Sequence, residues 1–427
     1  MLDINEIRKN PELIRLALLK RLDEVDFRDL LGWDEQRRSL ISRTESLKAR
    51  RNSVSAEIPQ RKKQGEDVQE LINEMKQVSN EIKTFDTELS SIEKDIKSFL
   101  DGLPNVPDDD VPGGGKEYNV ELHKWGKKPQ FPFEPRDHVD LVTSLGLIDY
   151  ERGVKMGGKG FWLYKGNGAL LEWALLNYFI REHSADGYEF VLPPHILSYQ
   201  CGYTAGHFPK FQDDIFLLAQ RDDEQVSFLL PTAETALINF HRDEIIDEDR
   251  LPLKYFSYTP CYRREAGSYR AQERGMIRGH QFNKVEMFQL TQPERSGQAF
   301  NELVEKAEGL LKGLGLHYRL SKLAAKDCGV AAAKTLDIEV WIPSMDDYKE
   351  VSSVSNTREY QSRRGNIRFK RKETRKNEYI HALNASGMAT SRIFPAILEQ
   401  YQQEDGSVLV PEVLKEFIGQ DRLLPTA

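Results

Sequence analysis

The chain has 427 residues, of which 30% are charged and 39% hydrophobic, and its formal net charge is −8. That length can bury a sizeable core and points to two or three domains. The negative sum excludes a basic field over the whole protein, of the kind that gathers nucleic acid, but not a local basic patch.

Cys201, Cys261 and Cys328 are far apart and form no CxxC pair, so neither zinc nor a disulfide framework is expected, and a reducing, cytoplasmic setting fits best. No apolar run of about 18 residues is present, so no membrane span is expected. Arg15 interrupts the best apolar stretch of the N-terminus, which argues against a signal peptide.

Asn10-Pro11 reads as an N-cap followed by proline at the first helical position, opening a short helix to about Lys20. Residues 27–100 then predict a long antiparallel helical hairpin. Leu71, Met75, Val78, Ile82, Phe85, Leu89, Ile92, Ile96 and Phe99 alternate in spacings of four and three, an unbroken heptad seam. The first arm repeats more weakly, through Leu30, Trp33, Leu40, Leu47, Val54 and Ile58, with Arg37, Thr44 and Arg51 at other seam positions. The polar turn 61–67 is too short for anything but antiparallel arms. At about 1.5 Å per residue the hairpin would stand roughly 50 Å tall. Residues 28–63 carry a net +5 and residues 66–101 a net −6. Either the two arms attract each other, or the first is a basic rail for a phosphate backbone. The stretch 104–118, rich in proline, glycine and aspartate, reads as a linker.

From 119 to 427, helices such as 168–183 and 296–314 alternate with clustered strands such as 254–263, 281–291 and 336–343. Hairpin-like intervals favour α+β with a mainly antiparallel sheet, flanked by helices. Gly153-Val-Lys-Met-Gly-Gly-Lys-Gly160 falls short of a P-loop, because glycine replaces the hydroxyl that would bind magnesium, and reads as a surface turn. Two strands flank a loop over 262–286. Arg263 and Glu265 are placed on one face, as are Phe282, Lys284 and Glu286, by the two-residue period of a strand. The loop, with Gly267, Gly275 and Gly279, is long for a compact domain. An arginine for phosphate, an aromatic for a base and carboxylates for an amine or hydroxyl suit a nucleotide cradle. Thr232 and Glu234 follow an apolar strand on a turn and could present a hydroxyl and a carboxylate to a small polar ligand, or merely cap a helix. Asp337–Pro343 and Tyr348–Ser353 read as a second hairpin, where Glu350 and Ser353 offer hard oxygen ligands to Mg²⁺. Asn384–Tyr401 reads as a strand end, a close-approach glycine at 387 and a helix. Arg392 near that helix start is electrostatically misplaced unless an anion sits between them, and Pro395 is tolerable only in the first turn.

Taken in order, these segments resemble the bacterial type of seryl-tRNA synthetase, a class II aminoacyl-tRNA synthetase family. Residues 187–194 look like motif 1, 262–286 like motif 2 and 384–401 like motif 3. Pro231–Glu234 matches the family's Thr-x-Glu loop. The resemblance implies an N-terminal tRNA-binding domain over 1–103, a linker over 104–118 and a catalytic domain over 119–427. It implies activation of L-serine by ATP and transfer of the seryl group to serine tRNA, with selenocysteine tRNA as a further acceptor. Arg263 and Arg392 would be the catalytic cations, on the α- and γ-phosphates. Arg264, Glu265, Gly279, Phe282, Glu350, Val351, Ser352 and Ser353 would complete the ATP site, with Glu265 and Gly279 at the adenine and Phe282 stacked on it. Glu350 and Ser353 would hold Mg²⁺. Thr232, Ala233, Glu234, Arg263, Glu286, Asn384 and Ser386 would form the serine pocket. Arg37, Arg38, Arg43, Lys48, Arg50, Arg51, Arg61, Lys62 and Lys63 would face the long variable arm of the tRNA. Motif 1 would build a homodimer. Ala385 and Ser391 depart from the glycines usual in motif 3. An amino acid:carrier-protein ligase would lack the hairpin, and a non-catalytic coiled-coil nucleic-acid-binding protein would have lost Arg263 and Arg392.

Overall fold

The computed structural model describes residues 1–219, 226–265 and 275–426. The chain forms two compact units, Met1–Pro104 and Asn105–Ala427.

The first unit holds α1 (Ile4–Lys9), α2 (Pro11–Leu18), α3 (Arg28–Lys63) and α4 (Gln69–Gly102). The short helix expected from Pro11 is α2, and a further helix, α1, precedes it. Pro11 is the first residue of α2, but the Asn10 side chain makes no capping bond. α3 and α4 pack along the heptad seam. Met75, Val78, Ile82, Phe85 and Ile96 are buried, whereas Leu89, Ile92 and Phe99 are only half-buried because a two-helix layer has no third element to cover them. Trp33 closes on Phe99 edge-to-face at 6.2 Å. Asp34 is buried and accepts from Arg8 (2.7 Å), Arg37 (2.7 Å) and Arg38 (3.1 Å), tying α1 to α3. Burial alone would raise its pKa, yet the guanidiniums of Arg8 and Arg37 hold it below the usual carboxylate range.

The second unit is built on an eight-stranded sheet. Its strands are β1 (Val120–Trp125), β2 (Glu189–Phe190), β3 (Leu253–Tyr262), β4 (Gln281–Thr291), β5 (Tyr318–Lys322), β6 (Lys334–Ile342), β7 (Asp347–Arg358) and β8 (His381–Ala389). The spatial order is β1-β5-β6-β7-β8-β4-β3-β2. Every neighbour is antiparallel except β2, which pairs parallel to β3. Three helices, α5 (Asn167–Ala185), α6 (Ser296–Leu314) and α7 (Thr390–Tyr401), pack on the sheet. Alternation along β4 and β8 sends Val285, Met287, Leu383 and Ala385 into the core shared with Leu303, Leu310, Phe394 and Ile397. Phe288, Leu290 and Ala382 instead join a second core with Leu237, Ile238 and Phe369. The face of the second core continues beyond Phe288 as charged side chains, and the site forms there.

Three local readings change. Residues 105–115, within the stretch 104–118 expected as a linker, are part of the second unit and bond within it: Asn105 N donates to Val330 O (2.8 Å) and Lys326 N to Gly114 O (2.9 Å). The glycine-rich segment at 153–160 is not a surface turn in its first half. A helix runs Tyr150–Gly157, and a Cβ on Gly153 would lie 2.5 Å from the Trp162 backbone. Pro395 is the sixth residue of α7, past the first turn, so the Ser391 carbonyl lacks its helical donor.

Candidate functional site

A cavity of about 700 Å³ opens on the second unit between β4, β6, β7, β8 and the 231–234 turn. Of the residues expected to contact ligands, Thr232, Glu234, Arg263, Glu286, Glu350, Ser353, Asn384, Ser386 and Arg392 all line it. An adjoining cavity is lined by Arg263, Glu265, Gly279, Phe282, Glu350, Val351 and Arg392. Arg263 and Arg392 therefore border both spaces. Arg264 is exposed and its N–H donates to Asp214 O (2.9 Å). Ala233 is fully buried in the second core, and Ser352 is buried with its hydroxyl donating to Ser386 O. Ala233, Arg264 and Ser352 line neither cavity. Residues 266–274 of the presumed motif 2 loop, Gly267 among them, lie outside the described residues.

The floor is a compact charge network. Lys284 and Glu286, two apart on β4, point to one side and form a buried ion pair. Lys284 Nζ also donates to Thr232 Oγ1 (2.7 Å) and reaches Ser386 Oγ (3.5 Å). Register explains the meeting, since Ser386 on β8 stands opposite Glu286 on β4. Beyond Ser386 the ladder is irregular as far as Ala389, with Met388 at φ 98° and a glycine at 387. A Cβ on Gly387 would lie 2.5 Å from His183 Nε2, the close approach expected there. Glu234 Oε1 accepts from Gln361 Nε2 (2.6 Å) and Asn384 Nδ2 (2.9 Å). Loss of water around its carboxyl, then the nearby Glu286 charge, push Glu234 up to about 7. Burial, with Arg263 and Lys284 adding to it, lowers His207 to about 4, so this ring is neutral at pH 7.

On the other wall, Ile338 pairs with Ser352 but Glu339 pairs with Glu350, leaving Val351 as an extra residue. This bulge turns Glu350 and Ser353 to the same cavity despite their odd spacing. Opposite them Asp337 is buried, and one of its carboxylate oxygens has no hydrogen-bond partner among the described residues. Burial and the charge of Glu350 raise its pKa well above the ordinary value. Among the described residues no three His, Cys, Asp or Glu side chains converge to hold a metal ion by themselves. Arg392, third residue of α7, donates to Glu350 O (2.8 Å) and Ile277 O (3.3 Å). Arg263 lies 5.3 Å from the Phe282 ring centre, and its Nε donates to Pro231 O (3.3 Å). Glu265, at φ 52°, is bound by Arg278 Nε (2.7 Å). The arrangement presents two cations across a polar cavity, an aromatic beside one of them, and acids at both ends.

The sequence also finds relatives over almost its full length. Residues 1–107 match the family model described as seryl-tRNA synthetase N-terminal domain, and 216–401 the tRNA synthetase class II core domain (G, H, P, S and T). Serine–tRNA ligase 2 of Clostridium acetobutylicum is 61% identical over 425 residues, 99% of this chain and 100% of that one. This chain belongs to the seryl-tRNA synthetase family. Serine–tRNA ligase of Thermodesulfovibrio yellowstonii is 45% identical over 99% of both chains. The crystal structure of seryl-tRNA synthetase from Pyrococcus horikoshii complexed with ATP superposes with a TM-score of 0.92 at 34% identity, covering all of both chains.

Among the residues in or next to the site of this seryl-tRNA synthetase, Lys284, Gln361 and His207 have no role assigned from sequence. Lys284 had a visible signal, sharing a strand face with Glu286. Gln361, which bonds Glu234 without lining the cavity, and His207, which lines it, had none, because they come from separate helical and loop segments.

Proposed function

We propose that the chain condenses L-serine with ATP to seryl-adenylate and transfers the seryl group to the 3′-end of serine tRNA, with selenocysteine tRNA as a further acceptor. One observation carries the residue assignments: Arg263 and Arg392 border the same cavity as the Thr232, Glu234, Glu286, Asn384 and Ser386 cluster. The serine carboxylate attacks the α-phosphorus in line, and pyrophosphate leaves with the bonding pair. The acceptor ribose hydroxyl then attacks the adenylate carbonyl, releasing AMP. Arg263 stabilises charge at the α-phosphate and Arg392 at the γ-phosphate, so catalysis rests on positioning and fixed charge. Phe282 stacks on the adenine beside Glu265 and Gly279. The acidic pocket takes the substrate ammonium and hydroxyl.

Glu350 and Ser353 would hold Mg²⁺. The bulge that aims both at the cavity and the buried, under-bonded Asp337 behind them make an oxygen-rich wall of the kind Mg²⁺ takes together with phosphates. Bound there, the ion supplies charge neutralisation at the phosphate oxygens.

The hairpin is the tRNA grip. Arg43–Glu81, Lys48–Asp86 and Arg50–Glu74 pair across the arms, and Arg61 pairs with Glu57 and Glu66. Arg51, Lys62 and Lys63 have no ion-pair partner among the described residues. Exposed pairs are worth only about 0–1 kcal/mol, so phosphates can replace these carboxylates readily. A homodimer through the motif 1 region is supported by an apolar surface there. Leu192 is 68% and Trp173 53% exposed, and Phe190 stacks on Phe256 at 4.6 Å beside them. Among the described residues no helix is long and apolar enough to cross a membrane. ATP–pyrophosphate exchange with each of the twenty amino acids tests the reading. Exchange should depend on serine, and exchange driven by another amino acid instead would overturn it.

A further inference from the structure

Lys284, a cation in the floor of the pocket, is employed by no role above. Lys284 is buried, and its ammonium meets Thr232 Oγ1 at 2.7 Å, Ser386 Oγ at 3.5 Å and the Glu286 carboxylate. These acceptors come from the 231–234 turn, β8 and β4, and Lys284 touches all of them. A lysine carries three donors and no acceptor, so each N–H can serve one of the three. That fixes more than distance. A hydroxyl that accepts from Lys284 keeps its own proton to give. Ser386, so held, offers an O–H to the cavity. Glu286, so paired, is held in place at the same depth, with its carboxylate fixed against the ammonium. Packing alone gives no reason for an ammonium here, since a buried pair of this kind is often no more stable than apolar residues of the same volume.

We propose that Lys284 is a positioning residue for amino-acid recognition: its ammonium fixes Thr232, Ser386 and Glu286 in the donor and acceptor pattern that a serine zwitterion meets. The proposal rests on the serine-pocket reading above. It makes the charge of Lys284 a determinant of serine affinity and leaves the ATP contacts, on Arg263, Arg392 and Phe282, to other residues.

The test is serine-dependent ATP–pyrophosphate exchange by the full chain, titrated separately in serine and in ATP, for the parent, Lys284→Met and Lys284→Arg. Charged hydrogen bonds of this kind are worth about 1.5–3 kcal/mol, so Lys284→Met should raise the serine KM by about 10- to 150-fold while the ATP KM stays within about threefold. Lys284→Arg, which keeps the charge but not the three-way geometry, should fall between the two. A serine KM within about threefold of the parent in Lys284→Met, or serine and ATP KM rising by the same factor, would overturn the proposal. Should Lys284→Met fail to fold, Lys284→Gln decides by the same two constants. A parent without serine-dependent exchange sinks the underlying reading itself, whereas an active parent with an indifferent Lys284 sinks only this inference.

Discussion

The hairpin and the cavity use the same residue types in opposite ways. In the hairpin, Arg50 and Glu74 face each other with 60% and 37% of their side chains exposed. In the cavity, Lys284 and Glu286 do so with 6% and 2% exposed. Water screens the first pair, so it can open and close against a phosphate backbone at little cost. The second cannot rearrange without stranding a charge, which suits a site that must present one fixed pattern to a small ligand. On the proposed reading, burial more than residue type separates a surface for a polymer from a pocket for a metabolite.

The sharpest way to break that contrast is to remove charge from the cavity. Arg263→Ala should lower serine-dependent exchange by about 10³-fold, since a fixed cation at developing charge is among the largest single contributions to catalysis. Glu286→Gln should cost about 10²-fold or more in kcat/KM for serine, measured in the same assay. The glutamine is preferable to alanine, because its amide oxygen can still accept from Lys284, which in the alanine variant would keep only the Thr232 and Ser386 hydroxyls.

A buried acid outside the pocket gives a thermodynamic version. Glu172 accepts from Asn283 Nδ2 (2.8 Å) and from the hydroxyl of Thr390, the first residue of α7. Burial raises it from 4.5 to about 7. The folded chain therefore keeps a proton that the unfolded chain loses through this window, so stability falls as pH rises from about 5 to 7. The loss should be about 3 kcal/mol in urea unfolding, and Glu172→Gln should flatten the slope. The smallest effect belongs to the hairpin. Arg50→Ala should change stability by less than about 1 kcal/mol, yet weaken tRNA binding and reduce its salt dependence.

Much of this was legible in the sequence, for reasons that differ by region. The hairpin announced itself because Met75 to Phe99 repeat every three or four residues and because its contacts are close to that pattern. The strands around Phe282 and Asp337 were visible from their alternation. What stayed hidden was long-range. The bulge at Val351 that aligns Glu350 with Ser353 depends on the register of β6 against β7, and no local pattern in β7 encodes it. His207 at the cavity wall and Gln361 on Glu234 are brought there by tertiary contacts alone. Pro395 was misjudged because Thr390 and Ser391, weak helix formers on their own, are drawn into α7 by burial. The stretch after Pro104 has a linker's composition but finds hydrogen-bond partners on the second unit, which composition cannot show.

The proposed division of labour puts serine chemistry in residues 105–427 and tRNA capture on the hairpin. Deleting residues 35–92 tests it most directly, with pyrophosphate exchange and charging of serine tRNA measured on the same preparation. Exchange should stay within about threefold of the parent and charging should fall by about 10²-fold or more, the scale expected when many phosphate contacts are lost. Charging left intact by that deletion, or exchange lost along with it in a folded protein, would contradict the account.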